Sequence, residues 1–278
     1  MISPQQNQIM NNSPIGQNDT EIMAIRNFNG PQDFIFPIDP FQELAESKSV
    51  IISQRISCLD YCCNTYNSRW DIMTKSEAGM KYLFKCKEKR RCCCVRCCKY
   101  NFLCPCCYCM CSDPLFLYFY QLSNNQELEG ESKKLFITAK RPDQTCTCKT
   151  PRIQTSLEPN KESIGTVALS VDRDDYCCTM CFDIIDSLGN VKYKVTGDVC
   201  QPALLCGYLS RKLCTLSFNI KKEKEIVGKI EKISSSLSEY FADAVSYKVI
   251  FPKEATPHEK FLCIVSVMLF EYGYQKPR

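Results

Sequence analysis

The sequence lacks the patterns that mark most enzymes and most membrane-spanning proteins. It has no glycine-rich phosphate loop and no Gly-x-Ser-x-Gly motif. Its one histidine, His258, stands at the expected start of a helix, and no feature singles out a cysteine as its nucleophilic partner. No run of eighteen apolar residues occurs, so an ordinary transmembrane helix is not expected. We expect a protein that is not an enzyme and has no catalytic residues.

Strong charge is also missing. The net charge is only +4 over 278 residues, and 45% of the residues are hydrophobic. These values exclude global disorder and a strongly basic nucleic-acid binder, so no nucleic-acid partner is expected. The first residues lack the basic and apolar regions of a signal peptide. We therefore expect a reduced, cytosolic setting in which cysteines are thiols, thiolates or thioesters.

Cysteine, by contrast, is abundant, and the 23 cysteines are unevenly distributed. Ten of the twenty residues from Cys92 to Cys111 are cysteine. A buried thiol is a small hydrophobe, so crowding many together has no packing advantage. The cluster requires a chemical explanation: metal binding, disulfides or attachment of acyl chains.

The rest of the sequence predicts a β-rich domain over residues 39–274, after a flexible Gln, Asn and Pro-rich arm over residues 1–38. Strand-like runs occupy residues 49–56, 115–122, 134–139 and 164–171. Hairpin-like pairs recur at residues 70–84, 115–139, 182–193 and 216–230. Many hairpins at such intervals indicate a closed barrel or a sandwich. The cysteine cluster would then be a long loop between the first two hairpins.

Two helices are predicted near the end of the chain. Residues 233–242 have apolar side chains at helical spacing. Thr256, Pro257 and Glu259 form a strong helix start with a capping box. The following residues 261–270 are almost wholly apolar but rise only about 15 Å, about half the thickness of a bilayer core. This length favours a helix enclosed by the β-structure over a membrane span.

Several short segments, in this order and spacing, resemble the phospholipid scramblase family. They are residues 137–142 (ITAKRP), 189–197 (GNVKYKVTG) and 226–233 (IVGKIEKI), followed by residues 239–244 and 251–252. The likeness runs from about residue 41 to residue 272. The resemblance implies the tubby-like fold, a mainly β, closed antiparallel β-barrel of about twelve strands around a hydrophobic C-terminal helix.

The resemblance also implies function. It implies ATP-independent, bidirectional movement of phospholipids between membrane leaflets, with calcium as the cofactor. The alternative is a non-enzymatic tubby-like protein that binds lipid or acts as a scaffold at the membrane surface. The second alternative is a cysteine-rich metal-binding protein. Protein partners stay unknown.

Within the cysteine cluster, residues 104–107 (CPCC) resemble the palmitoylated core of the family. In the family this loop follows the ITAKRP-like strand, whereas here the dense cluster lies one hairpin earlier. The predicted lipidation sites are Cys92, Cys93, Cys94, Cys97, Cys98, Cys104, Cys106 and Cys107. The predicted membrane-contacting basic residues are Lys89, Arg90, Arg91 and Arg96. Acyl chains and basic charge together form a stable two-signal anchor, here on the cytosolic face of the plasma membrane or an endomembrane.

The cluster also fits a thiolate metal site or a loop without a specific role. Cys94 and Cys97, with Cys104 and Cys106 or with Cys107 and Cys109, could supply four thiolates to zinc. Adjacent pairs and triplets of cysteine disfavour this arrangement, because their side chains diverge. A loop of reduced cysteines that serves no chemical purpose is the third interpretation.

The family resemblance places a calcium-binding segment just before the last helix, here residues 243–254. Asp243 and Glu254 fit the two ends of an EF-hand-like loop, but the positions between them do not. Val245, Tyr247 and Val249 alternate instead, which predicts a strand with one face toward the core. Any calcium site formed by Asp243 and Glu254 is therefore expected to be weak.

Overall fold

The computed structural model describes residues 39–55, 69–76, 79–89, 111–112, 115–122, 133–141, 144–145, 152–170, 179–198, 216–233 and 245–272. The predicted arm over residues 1–38 lies outside these ranges. The elements, in chain order, are α1 (Pro40–Glu46), β1 (Ser49–Arg55), β2 (Arg69–Ser76), β3 (Gly79–Lys89), β4 (Cys111–Ser112), β5 (Leu115–Leu122), β6 (Lys133–Arg141), β7 (Gln144–Thr145), β8 (Arg152–Leu157), β9 (Glu162–Ser170), β10 (Thr179–Asp186), β11 (Val191–Asp198), β12 (Ser217–Lys222), β13 (Glu225–Ile233), β14 (Ser246–Ile250) and α2 (Pro257–Phe270).

Twelve of the described strands form one closed antiparallel barrel, in the order β1-β14-β13-β12-β11-β10-β9-β8-β6-β5-β3-β2. The barrel closes because β1 pairs with β2 on one side and with β14 on the other. β4 and β7 pair with each other as a separate short ribbon. The predicted barrel is thus confirmed, and the sandwich alternative is wrong.

The four predicted hairpins correspond to neighbouring barrel strands: β2–β3, β5–β6, β10–β11 and β12–β13. Residues of β5, β12 and β13 alternate between a buried and a more exposed face, as a strand with one face toward a core requires, whereas β2 is buried throughout from Trp70 to Thr74. In β14, Tyr247 and Val249 face the core, and the flanking Val245 and Phe251 are buried as well. The alternation read from this segment therefore predicted its strand correctly.

α2 occupies the interior of the barrel and provides much of its core. All its residues from Phe261 to Phe270 are buried. The helix begins as predicted: Thr256 Oγ1 accepts from the Glu259 backbone N–H at 3.3 Å, and the Glu259 carboxylate accepts from the Thr256 N–H at 2.8 Å. Side chains alone can fill a barrel of about eight strands, but a twelve-stranded barrel is wider. The helix fills the additional space.

Gly165 in β9 allows the helix to approach the barrel wall closely. A Cβ atom at this position would lie 2.8 Å from Leu262 Cδ1 and would also meet the backbone oxygen of Ile185. Its φ of +152° is in addition a value that side-chain-bearing residues rarely adopt. The position therefore requires glycine for both reasons.

The predicted helix over residues 233–242 is wrong at its first residue. Ile233 is the last residue of β13 and pairs with Ser246 of β14. Residues 234–242 lie outside the described ranges. Ile233 instead continues a strand in which Gly228, Ile230 and Lys232 lie on the buried face.

The two ends of the barrel are joined by different parts of the chain. At the end that we call the helix end, α2 begins and short turns join β8 to β9, β10 to β11 and β12 to β13. α1 packs at this end, where the Phe41 ring contacts Phe84, Phe136, His258 and Phe261. At the opposite end, β1, β3, β6, β9, β11 and β13 finish and the next barrel strands begin. We call it the cysteine end for the reason given below.

Candidate functional site

Most cysteines of the sequence belong to connections that leave and rejoin one end of the barrel. The five connections β1–β2, β3–β5, β6–β8, β9–β10 and β11–β12 contain three, ten, two, two and three cysteines. The connections at the helix end contain none in the sequence. In an antiparallel barrel every second connection returns to the same end, so segments far apart in the sequence are anchored side by side. The cysteine end is therefore the candidate functional site.

The predicted lipidation sites from Cys92 to Cys107 lie outside the described residues, and so do Arg90, Arg91 and Arg96. Lys89 is described: it is the last residue of β3 and is exposed. Its backbone pairs with Phe116 near the start of β5, so the two strands that border the ten-cysteine connection are neighbours. Cys111, at the far end of the cluster, pairs through its backbone with Thr145.

The other three cysteines, Cys86, Cys181 and Cys263, lie inside the barrel and are buried. Burial raises the pKa of the Cys86 thiol well above its usual range. The pKa of Cys263 is also raised, by burial first and then by the nearby Glu259 carboxylate. The thiols of Cys86 and Cys263 therefore stay protonated, and all three buried cysteines pack as small hydrophobes.

Buried polar contacts hold α2 at both ends. At the helix end, Lys260 Nζ donates to the carbonyl oxygens of Leu44, Ala45 and Ser47 at 3.1, 2.6 and 2.9 Å. Lys260 is only 5% exposed. Its charge therefore sits at the last carbonyls of α1, where a cation complements the helix dipole.

At the cysteine end, α2 is followed by two buried polar residues. The Tyr247 hydroxyl donates to Glu271 Oε2 at 2.7 Å, and Trp70 Nε1 donates to the Tyr272 hydroxyl at 2.8 Å. Burial, and then the Glu271 carboxylate, raise the pKa of Tyr247 well above its ordinary value. The helix is thus fixed to β2 and β14 where it leaves the barrel.

The predicted calcium ligands are separated by a strand. Asp243 lies outside the described residues. Glu254 is exposed in the turn before α2, and its carboxylate accepts from Lys222 Nζ at 2.8 Å, which lowers its pKa. Between the two positions, β14 is paired on both sides by β1 and β13. The metal site of Asp243 and Glu254 therefore stays a prediction, in which Glu254 would first have to leave Lys222.

Two properties of the described residues bear on cofactors and membranes. Within these ranges, no group of three or more His, Cys, Asp or Glu side chains is arranged to hold a metal ion. Across the same part of the chain, no helix is both long and apolar enough to traverse a bilayer.

Sequence reasoning missed the gathering of cysteines from five connections, because it considered each cluster alone. The order of the predicted strands would have revealed this gathering. Once the hairpins are read as consecutive barrel strands, counting alternate connections assigns all the loop cysteines to one end. The cysteines at positions 58–63 and 177–178, which lie outside the described residues, are assigned by the strand order to connections of this same end.

A closed twelve-stranded barrel around an apolar helix defines the class of the protein. The chain matches the Scramblase family over residues 128–276, which is more than half of its length and extends from just before β6 through α2. It therefore belongs to the scramblase family. No curated protein matches the chain. Membership in this family implies association with phospholipid membranes, and the fold fits a protein that binds or translocates lipids.

Proposed function

We propose that this protein moves phospholipids in both directions between the leaflets of a membrane, without ATP and without covalent chemistry. The observation that carries the proposal is the family match, which covers β6 through α2. The tubby-like relationship inferred from the sequence is consistent with the barrel. The protein would act from the cytosolic face, with phospholipid as its partner.

Attachment would depend on the cysteine end. One acyl chain gives only marginal membrane binding, whereas a second chain or a basic patch makes it stable. Acylation of the cysteines from Cys92 to Cys107 would supply several chains. Lys89, Arg90, Arg91 and Arg96 would add about 1 kcal/mol per charge at an anionic leaflet. Hydroxylamine, which cleaves thioesters, should then lower the mass of the peptide from Cys92 to Cys111 and release the protein from membranes.

The second candidate function is lipid binding or scaffolding without lipid movement. The position of α2 favours it, since the most apolar segment of the described residues is enclosed by the strands and is not available to enter a bilayer. Such a protein would still be held at the membrane by the same anchor.

Reconstitution distinguishes these two functions. Vesicles that carry a fluorescent phospholipid in both leaflets are treated with an impermeant quencher, with and without the protein. A scramblase exposes the inner-leaflet probe to the quencher without ATP, while a binding protein leaves it protected. Repeating the measurement with calcium and with a chelator tests the proposed role of Asp243 and Glu254. Leakage of an encapsulated dye is the control for broken vesicles.

The metal-binding alternative concerns the cysteines at positions 94–109. The protein is purified anaerobically and its zinc content and thiol reactivity are measured. Stoichiometric zinc, together with thiols that resist modification until the zinc is chelated, would indicate a thiolate metal site in place of acylation. Protein without zinc but with acyl mass would exclude this alternative.

A further inference from the structure

The outer face of β5 carries aromatic side chains where strands that face water usually carry polar ones. Its inward residues are fully buried: Leu115, Leu117 and Phe119. The alternate residues Phe116, Tyr118 and Tyr120 face outward and are only partly buried. The rings of Phe116 and Tyr118 lie nearly parallel, at 12°, with centroids 6.4 Å apart. β5 therefore presents an aromatic row on the outside of the barrel.

Exposed lysines flank this row on both neighbouring strands. On β3, Lys87 is opposite Tyr118 and Lys89 is opposite Phe116. On β6, Lys140 is opposite Phe116 from the other side, and its Nζ lies 5.5 Å from the Phe116 ring centroid. Phe116 is thus bracketed by two lysines in one cross-strand line.

The positive charge of this surface is not offset by nearby carboxylates of the described residues. Arg69 of β2 is directly opposite Lys87, and like charges in that position destabilise a sheet. The Asp71 carboxylate accepts from Arg55 Nε at 2.5 Å, and Glu88 is buried inside the barrel. A basic surface with aromatic residues at its centre is suited to a polyanionic partner that can also take up aromatic rings.

We propose that this surface is where the barrel lies on an anionic phospholipid bilayer. We call it the basic–aromatic face and define it by Lys87, Lys89, Phe116, Tyr118, Tyr120 and Lys140. Aromatic side chains favour the boundary between headgroups and acyl chains, and lysines reach the phosphates above it. This proposal rests on the proposed function, and it adds which side of the barrel contacts the membrane.

The position of the face along the chain favours a bilayer over other polyanions. β3 ends at Lys89, and Phe116 is the second residue of β5, so the face borders the connection with ten cysteines. Acyl chains on that connection would bring these two strands to the bilayer first. The face and the proposed anchor would then contact the same membrane together.

The first test measures binding of the full chain, freed of thioesters by hydroxylamine, to vesicles of phosphatidylcholine with or without phosphatidylserine. The test variant combines Lys87→Gln, Lys89→Gln and Lys140→Gln. The control combines Lys48→Gln, Lys224→Gln and Lys253→Gln, which removes equal charge from exposed positions at the helix end. At about fivefold per lysine, the test variant should bind anionic vesicles about 100-fold more weakly, while the control should bind like the wild type.

The second test measures how deeply the basic–aromatic face enters the bilayer. Tyr118→Trp places an indole on the face, whereas Leu188→Trp places one on the β10–β11 turn, where Leu188 is 84% exposed. The native Trp70 is fully buried and gives a constant background. Brominated phospholipids should quench the indole at position 118 and leave the one at position 188 unquenched.

Several outcomes would overturn the proposal: equal weakening by both lysine variants, equal binding to neutral and anionic vesicles, or stronger quenching at position 188. Binding of an acidic peptide or single-stranded RNA through the same lysines, without vesicle binding, would assign the face to that partner instead. Vesicle binding through the face without lipid movement would reject the proposed function and leave this proposal standing.

Discussion

Lys260 offers a quantitative test of how the helix is held in the barrel. Lys260→Met keeps most of the side-chain volume but removes three hydrogen bonds to carbonyl oxygens of α1 and its C-cap, at 2.6 to 3.1 Å. Hydrogen bonds from a charged group contribute about 1.5–3 kcal/mol each, but the ammonium also loses hydration on burial. The carbonyls of Leu44 and Ser47 would stay buried without this donor, whereas Ala45 is exposed. We expect a net loss of about 3–4 kcal/mol in the free energy of unfolding, because each buried carbonyl left without a donor costs about 1–3 kcal/mol.

The measurement is urea unfolding followed by Trp70 fluorescence and far-UV circular dichroism. With a denaturant slope of about 3 kcal/mol/M, the midpoint should fall by about 1 M. Lys253→Met, in the exposed turn before α2, is the matched control and should not move the midpoint. Hydrogen exchange at the Ser47 amide, which bonds to the Glu43 carbonyl, should accelerate in Lys260→Met alone. A loss below about 1 kcal/mol would show that the carbonyls find other donors and would refute the reasoning.

Three further predictions concern the barrel and its helix. Gly165→Ala should lower the free energy of unfolding by about 3 kcal/mol, because the added methyl group overpacks the core and strains the backbone. Gly79→Ala is the control: Gly79 has a φ of +123° but open space around it, so this variant should show the effect of backbone strain alone. Equal urea midpoints for the two variants would refute the close packing at Gly165. Burial, and then Glu259, raise the pKa of Tyr193 from 10.0 to about 12. The stabilisation linked to the protonated Tyr193 hydroxyl is therefore present below pH 10 and lost as the pH rises toward 12. The urea midpoint of the wild type should fall over this pH range, and it should fall less in Tyr193→Phe. An equal fall in both proteins would contradict this prediction. Thr256→Ala should lower the free energy of unfolding by about 1 kcal/mol, a loss that Thr256→Ser should largely restore.

Local signals were sufficient for most of the fold. The alternation in β5 and the capping box at Thr256 are properties of neighbouring residues, so the sequence reveals them directly. The predicted helix over residues 233–242 is wrong at Ile233, because the strand that ends there is paired with a distant part of the chain; its other residues lie outside the described ranges. Closure of the barrel by β1 and β14 joins residues about 200 positions apart; the hairpins fitted a barrel or a sandwich, and only the family resemblance favoured the barrel.

At the candidate site, too, local features could be predicted from the sequence, whereas contacts between distant segments could not. Composition revealed the cluster from Cys92 to Cys111 and the basic character of Lys89. The bracketing of Phe116 by Lys89 and Lys140 depends on the register of three strands, one of them separated by a 25-residue connection. The buried charge of Lys260 was equally hidden, because its acceptors lie more than 200 residues away in the sequence.

The enclosure of α2 limits how this protein could move lipids. Between Phe261 and Phe270 the helix buries eight large apolar side chains. At about 1.5–3 kcal/mol for each, their exposure would cost about 12–24 kcal/mol, which equals or exceeds the whole stability of a typical domain. The helix therefore cannot leave the barrel in the folded state, and any lipid movement has to follow the outer surface or a locally deformed bilayer. Accordingly, Lys260→Met should leave the transport rate per bound protein unchanged in the vesicle assay, whereas the Lys87, Lys89 and Lys140 variant should lose transport together with binding. Faster transport by Lys260→Met would indicate a route through the interior of the barrel and contradict a path along its outer surface.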